Sequence, residues 1–218
     1  VTGQVVPVTR ASSVRGPSHL VNAGKTPVLA PEDVRTLINS IEVMTIAGLR
    51  DRALIGLMVF SFARIGAVLR MKVDDVFTKN RRLWVRLREK RGKRHAMPCH
   101  HNLETYPTAY IEGASIAEDP KGPLFRTIGR ATGRPLTRTP LPQANAYAMI
   151  GRRAAAAGIA TKLGNHGFRA TGITAYLKNG GILEKAAQMA NHASMRTTQL
   201  YDRRREGLSL DGVEKIWE

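Results

Sequence analysis

The longest apolar stretch of the chain runs from Ala53 to Ala63 and is closed by Arg52 and Arg64. From Arg50 to about Phe62 the segment is apolar nearly all round, whereas a surface helix keeps one polar face. It is far too short to span a bilayer. It therefore reads as a helix buried in the core, and the remaining elements must be compatible with covering it.

On the N-terminal side, Pro31, Glu32 and Asp33 form the first turn of another helix: proline suits that position and acids suit the positive dipole end. Val34, Leu37, Ile38 and Ile41 follow at helical spacing. On the C-terminal side the period changes. Val73 to Phe77, Leu83 to Arg88 and His95 to Cys99 are short runs separated by Lys79-Asn80 and by Lys90-Arg91-Gly92-Lys93, which predicts three antiparallel strands. In the middle run Leu83, Val85 and Leu87 alternate with Trp84, Arg86 and Arg88, giving one buried and one cationic face. The remainder reads as helical. Asn102 is a candidate cap, although Pro107 strains the second turn of the helix it would open. Thr139-Pro140 is expected to open a helix ending at Gly158, Phe168 to Asn179 ends at Gly180-Gly181, and Leu183 to Met189 and Ser194 to Asp202 follow. Ser209 is a candidate cap for a last helix carrying Val213, Ile216 and Trp217. The expected fold is mainly α with a small antiparallel β-sheet (α+β), without an internal repeat.

Charge narrows the partner. The chain of 218 residues carries 34 Lys+Arg against 17 Asp+Glu, a formal net charge of +17, which points to a polyanion. Twenty-four of the cations are arginines, whose fork grips phosphate bidentately. Residues 120–183 hold no carboxylate at all but ten cations. Candidate phosphate-backbone contacts are Arg91, Lys93, Arg126, Arg130, Arg134 and Arg138. The single cysteine, Cys99, forms no internal disulfide. Pro7, Pro17 and Pro27, without a long apolar core, exclude a secretory signal, so a soluble cytoplasmic protein is expected. Residues 1–26, rich in Pro, Gly and Ser, read as a flexible linker stub in which the chain begins. Cys99-His100-His101 with nearby His95 lacks the spacing of a zinc site and reads as the end of a strand and start of a helix. No P-loop or dinucleotide fingerprint is present.

The C-terminal third contains His166-Gly167-Phe168-Arg169, then Asn191-His192 twenty-three residues after the arginine, then Tyr201 nine residues further on. Earlier lie Ala63-Arg64-Ile65-Gly66-Ala67-Val68-Leu69 and the basic turn holding Lys90. In this order and spacing the chain resembles the tyrosine recombinase (phage integrase) family from Pro27 to Tyr201. The segment Ala193-Ser194-Met195-Arg196-Thr197-Thr198-Gln199-Leu200-Tyr201 carries that resemblance closely. It implies a catalytic set of Arg64, Lys90, His166, Arg169, His192 and Tyr201, with Lys93 and Arg91 in the same turn as Lys90. Two positions depart from the family pattern: Ala67 stands where an acid is usual, and Asn191 where glycine is usual. Asn visits the left-handed region more readily than most residues.

The resemblance further implies a recombinase that attacks double-stranded DNA with the Tyr201 hydroxyl. A 3′-phosphotyrosyl bond forms, a 5′-hydroxyl is released, and strands rejoin without metal, ATP or other cofactor. Arg64 and Arg169 would grip the non-bridging oxygens, His192 would donate to them, His166 would accept or relay the Tyr201 proton, and Lys90 would protonate the leaving oxygen. It also implies a catalytic domain over residues 27–207, an accompanying N-terminal DNA-clamping domain, and a tetrameric synapse of paired protomers. Residues 208–218 would dock on a neighbouring protomer, and the protein would act at the nucleoid of a bacterium or on a mobile element. Two alternatives share parts of the pattern: a type IB topoisomerase or telomere resolvase, and a DNA-binding protein without turnover.

Overall fold

The computed structural model describes residues 26–89, 94–129, 136–164 and 166–203. Helix α1 (Pro31–Asn39) starts at Pro31 with Glu32 and Asp33 in its first turn, and buries Val34, Leu37 and Ile38. Helix α2 (Ile46–Phe60) starts a turn earlier than Arg50, because Thr45 caps it by accepting the Gly48 N–H at 3.1 Å. Its residues from Ala53 to Val59 are all buried. Helix α3 (Ile65–Val68) is a single turn whose N-cap is Arg64.

A 3-10 turn (Val73–Asp75) replaces the start of the first expected strand, because the Asp75 carboxylate folds back onto the Lys72 N–H at 2.9 Å. Strands β1 (Val76–Lys79), β2 (Arg82–Arg88) and β3 (Arg94–Pro98) then form the expected antiparallel sheet in the order β1-β2-β3. Asn80 and Arg81 link β1 to β2 with φ of 51° and 60°, the pair of left-handed residues that matches the twist of a tight hairpin. Val85, Leu87 and Met97 face the core. Opposite them, Arg88 donates to both oxygens of Asp75 and Arg86 to one, so the cationic face of β2 is partly neutralised within the fold.

Helix α4 (His101–Gly113) is capped not by Asn102 but by His100, whose Nδ1 accepts the Asn102 N–H at 3.2 Å while its ring stacks on Phe60. The helix runs through buried Pro107, which lacks the N–H that would reach back one turn.

Thr139-Pro140 does not open a helix. These residues end β5 (Leu136–Pro140), which pairs antiparallel with β4 (Arg126–Ile128). Thr127 and Thr137 share a hydroxyl hydrogen bond across the pair, and proline is tolerated at a strand end. Helix α5 (Gln143–Ala156) starts after Pro142 instead. Helices α6 (Gly167–Lys178), α7 (Leu183–Met189) and α8 (Met195–Gln199) follow. The expected helix after Ser209 lies outside the described residues. Among the described residues the fold is mainly helical with small antiparallel sheets, and no helix is long and apolar enough to cross a membrane.

Helix α2 sits at the centre, in contact with α1, α3, α4, α5 and α6. Its polar end is tied down by Asp51: one oxygen takes Arg50 and the other takes Arg153 of α5. Its other end lies against α6 at Gly172, where a Cβ would come within 2.2 Å of the Val59 carbonyl oxygen. Gly172→Ala is therefore expected to lower stability by about 1–3 kcal/mol through overpacking, measured as a fall in the urea midpoint. An unchanged midpoint would show that the two helices separate freely.

Candidate active site

Arg169 lies in the first turn of α6 and is 2% exposed. Its Nη1 donates to the Phe62 carbonyl and its Nη2 to the Ala190 carbonyl. No carboxylate lies within salt-bridge distance of it among the described residues. Burial, then repulsion from Arg64, lowers its pKa to about 10, with attraction to Tyr201 and Glu89 acting the other way. It remains a cation at neutral pH, with donors left over beyond the two carbonyls.

Both carbonyls belong to strained turns. Phe62 has φ 53°, between α2 and α3, and Asn191, directly after Ala190, has φ 48°. The asparagine standing in the usual glycine position thus occupies the left-handed region. The Asn191 and His192 N–H groups close the C-terminus of α7 by donating to Gln188 and Ala187. Arg64 follows Phe62 by two residues, and His192 follows Ala190 by two.

His192 Nδ1 is 2.8 Å from the Thr198 hydroxyl, and its ring lies 6.0 Å from that of Tyr201 with an interplanar angle of 9°. Burial, helped by the Arg169 and Arg64 charges, depresses its pKa to about 4. The imidazole is therefore neutral at pH 7. When Thr198 donates to Nδ1, Nε2 carries the proton and is a hydrogen-bond donor. Tyr201, half-buried after α8, accepts at its carbonyl from the Thr174 hydroxyl of α6 at 3.1 Å, and packs against the apolar cluster of Phe62, Ile173, Leu177, Ala186 and Ala190.

The structure thus brings together Arg64, Arg169, His192 and Tyr201. His166 is the N-cap of α6, exposed, three residues before Arg169 and so near its face. Lys90, Arg91, Lys93, Arg130 and Arg134 lie outside the described residues. Arg138 is exposed on β5. Arg126 is a correction: it is 4% exposed, and donates to the Pro123 carbonyl and to Asp119, so it braces a loop and is not a surface cation. The residue that sequence reasoning missed is Glu89. Its Oε2 accepts from Arg64 Nη1 at 3.0 Å, and its side chain is 6% exposed. Its signal was the inward alternation of Leu83, Val85 and Leu87, which reaches residue 89 at the next step.

The phage integrase family model matches residues 27–207. The chain belongs to the phage integrase family. Among its relatives is the tyrosine recombinase XerD of Corynebacterium glutamicum, 27% identical over 192 residues, covering 87% of this chain and 59% of the relative. XerD of Xanthomonas campestris is 30% identical over 183 residues, covering 79% of this chain and 54% of the relative. The chain thus spans little more than half the length of these relatives. The fold is shared with XerH site-specific recombinase bound to palindromic difH substrate, at TM-score 0.66 and 24% identity over 88% of this chain and 53% of that one. A lambda integrase dimer bound to a COC′ core site matches at TM-score 0.60 and 18% identity over 92% of this chain and 54% of that one.

The depressed pKa of His192 carries a sign that can be checked. A histidine neutral in the fold but titrating at its ordinary 6.5 when unfolded contributes stability that is fully present above pH 6.5. That stability is lost as pH falls from 6.5 towards 4. An NMR titration is expected to place the His192 midpoint near 4, and a midpoint near 6.5 would contradict the buried, cation-flanked geometry.

Proposed function

We propose that this chain is the strand-cleaving and rejoining domain of a site-specific DNA recombinase, acting on double-stranded DNA. The observation that carries the reading is a buried, carbonyl-anchored Arg169 grouped with Arg64 and a neutral His192 beside the Tyr201 ring. An anion with several acceptor oxygens satisfies that set of donors, and a phosphodiester places such oxygens next to an electrophilic phosphorus.

In the reaction the Tyr201 oxygen forms a bond to phosphorus as the bond from phosphorus to the 5′-oxygen breaks. The phenolic proton passes to His166 as acceptor or relay, and the leaving 5′-oxygen takes a proton from Lys90. Arg64 and Arg169 hold the non-bridging oxygens, where negative charge builds up, and His192 donates from Nε2. The 3′-phosphotyrosyl bond retains the energy of the broken linkage, so a 5′-hydroxyl can attack it and release Tyr201. Exposed Arg138, with Arg91, Lys93, Arg130 and Arg134, would contact the backbone of the duplex. Assembly would be as paired protomers in a tetrameric synapse, with an N-terminal clamping domain on the opposite face of the DNA and residues 208–218 docking on a neighbour. The setting would be the cytoplasm, at the nucleoid.

On a nicked suicide duplex bearing the cognate site, the protein is expected to yield an SDS-resistant adduct that disappears in Tyr201→Phe. Absence of the adduct in the native protein would leave a DNA-binding module without turnover. Relaxation of supercoiled plasmid lacking any specific site would instead favour a topoisomerase.

A further inference from the structure

We propose that Glu89 is the positioning residue that aims Arg64 at the scissile phosphate, a role that rests on the reading of Arg64 above. Arg64 is the N-cap of a four-residue helix, and its side chain is 37% exposed. A long side chain at such a place samples many rotamers unless something holds it. Among the described residues Glu89 is its one ion-pair partner, at 3.0 Å. The acid expected three residues along is Ala67, which is fully buried and has no group to offer. The carboxylate comes instead from the residue directly after β2, 25 residues away in sequence.

The geometry suits positioning. Among the described residues only Nη1 of the Arg64 fork is engaged, which leaves further donors for an anion. Glu89 directly follows β2 and its side chain is buried to 6% exposure, so its surroundings are protein and not solvent. A buried carboxylate is costly unless paired, which makes the Arg64 contact the favoured arrangement for both partners. The Glu89 charge also stabilises the cationic form of Arg169, easing the repulsion between the two arginines that a shared phosphate requires to converge. It is the lone acid between Asp75 and Glu104, and it directly precedes Lys90 in the chain.

Single-turnover cleavage and equilibrium DNA binding on the suicide duplex, measured for Glu89→Ala, Glu89→Gln and Arg64→Ala, test the assignment. Glu89→Ala is expected to slow cleavage by about 10²-fold, the scale of a misplaced catalytic group, while DNA affinity holds. Glu89→Gln keeps an acceptor oxygen and is expected to recover most of the rate. Three results would overturn the proposal while leaving Arg64 in place: Glu89→Ala cleaving at the native rate, Glu89→Gln cleaving faster than the native protein, or a loss confined to DNA affinity. The middle one would make Glu89 a competing counter-ion. Native-rate cleavage by Arg64→Ala would remove the underlying reading, and the proposal with it.

Discussion

A guanidinium buried to 2% exposure has to be held where it lies, and among the described residues Arg169 is held by two backbone carbonyls, not by a carboxylate. Those carbonyls end two separate turns, one joining α2 to α3 and the other joining α7 to α8. Each turn contains a non-glycine residue at positive φ, Phe62 and Asn191, at a cost of about 1–2 kcal/mol apiece. The arginine is what repays that strain, since in these conformations both carbonyls face it. Because Arg64 and His192 each lie two residues beyond the clamped carbonyl, one buried side chain sets the placement of both. Tyr201 is then fixed by the Thr174 hydroxyl, one and a half turns along the same helix as Arg169.

The charge surplus takes on a narrower meaning in the folded chain. Arg50 and Arg153 are absorbed by Asp51, Arg86 and Arg88 by Asp75, and Arg126 by Asp119. These arginines hold α2 to α5, the sheet to its preceding turn, and the loop before β4 in place. They are scaffolding, and Asp51, Asp75 and Asp119 are committed to them. Among the described residues Arg64 has its carboxylate in Glu89 but keeps further donors, and Arg169 has carbonyls in place of an acid. The distinction between an arginine committed to the fold and one that keeps donors for a ligand therefore rests on what holds it, which a count of cations does not reveal.

Much of the fold was legible because it depended on local pattern. The all-round apolar run marked α2, the alternation from Leu83 to Leu87 marked β2, and Gly180-Gly181 marked the end of α6. What escaped depended on contacts distant in sequence or on competing local signals. Thr139-Pro140 carries the signature of a helix start, but hydroxyl pairing between Thr127 and Thr137 draws it into a strand. Asn102 yielded to His100, whose ring is steadied by Phe60 from α2. Arg126 reads in the sequence as one of the cations that contact a phosphate backbone, but it is buried with bonds to Asp119 and the Pro123 carbonyl, contacts that the sequence does not display. At the site, the spacing from Arg169 to His192 to Tyr201 could be read as a family resemblance, and the structure groups those residues with Arg64. The role of Ala67 could not be read without Glu89, because the acid near Arg64 comes from another element.

The most direct test of the arginine clamp is a crystal structure of the domain carrying a DNA strand on Tyr201. The guanidinium of Arg169 should still donate to the Phe62 and Ala190 carbonyls while its remaining donors reach the non-bridging oxygens of the phosphotyrosyl group. A phosphate held elsewhere, with Arg169 turned wholly into the protein, would contradict the clamp as the feature that builds the site.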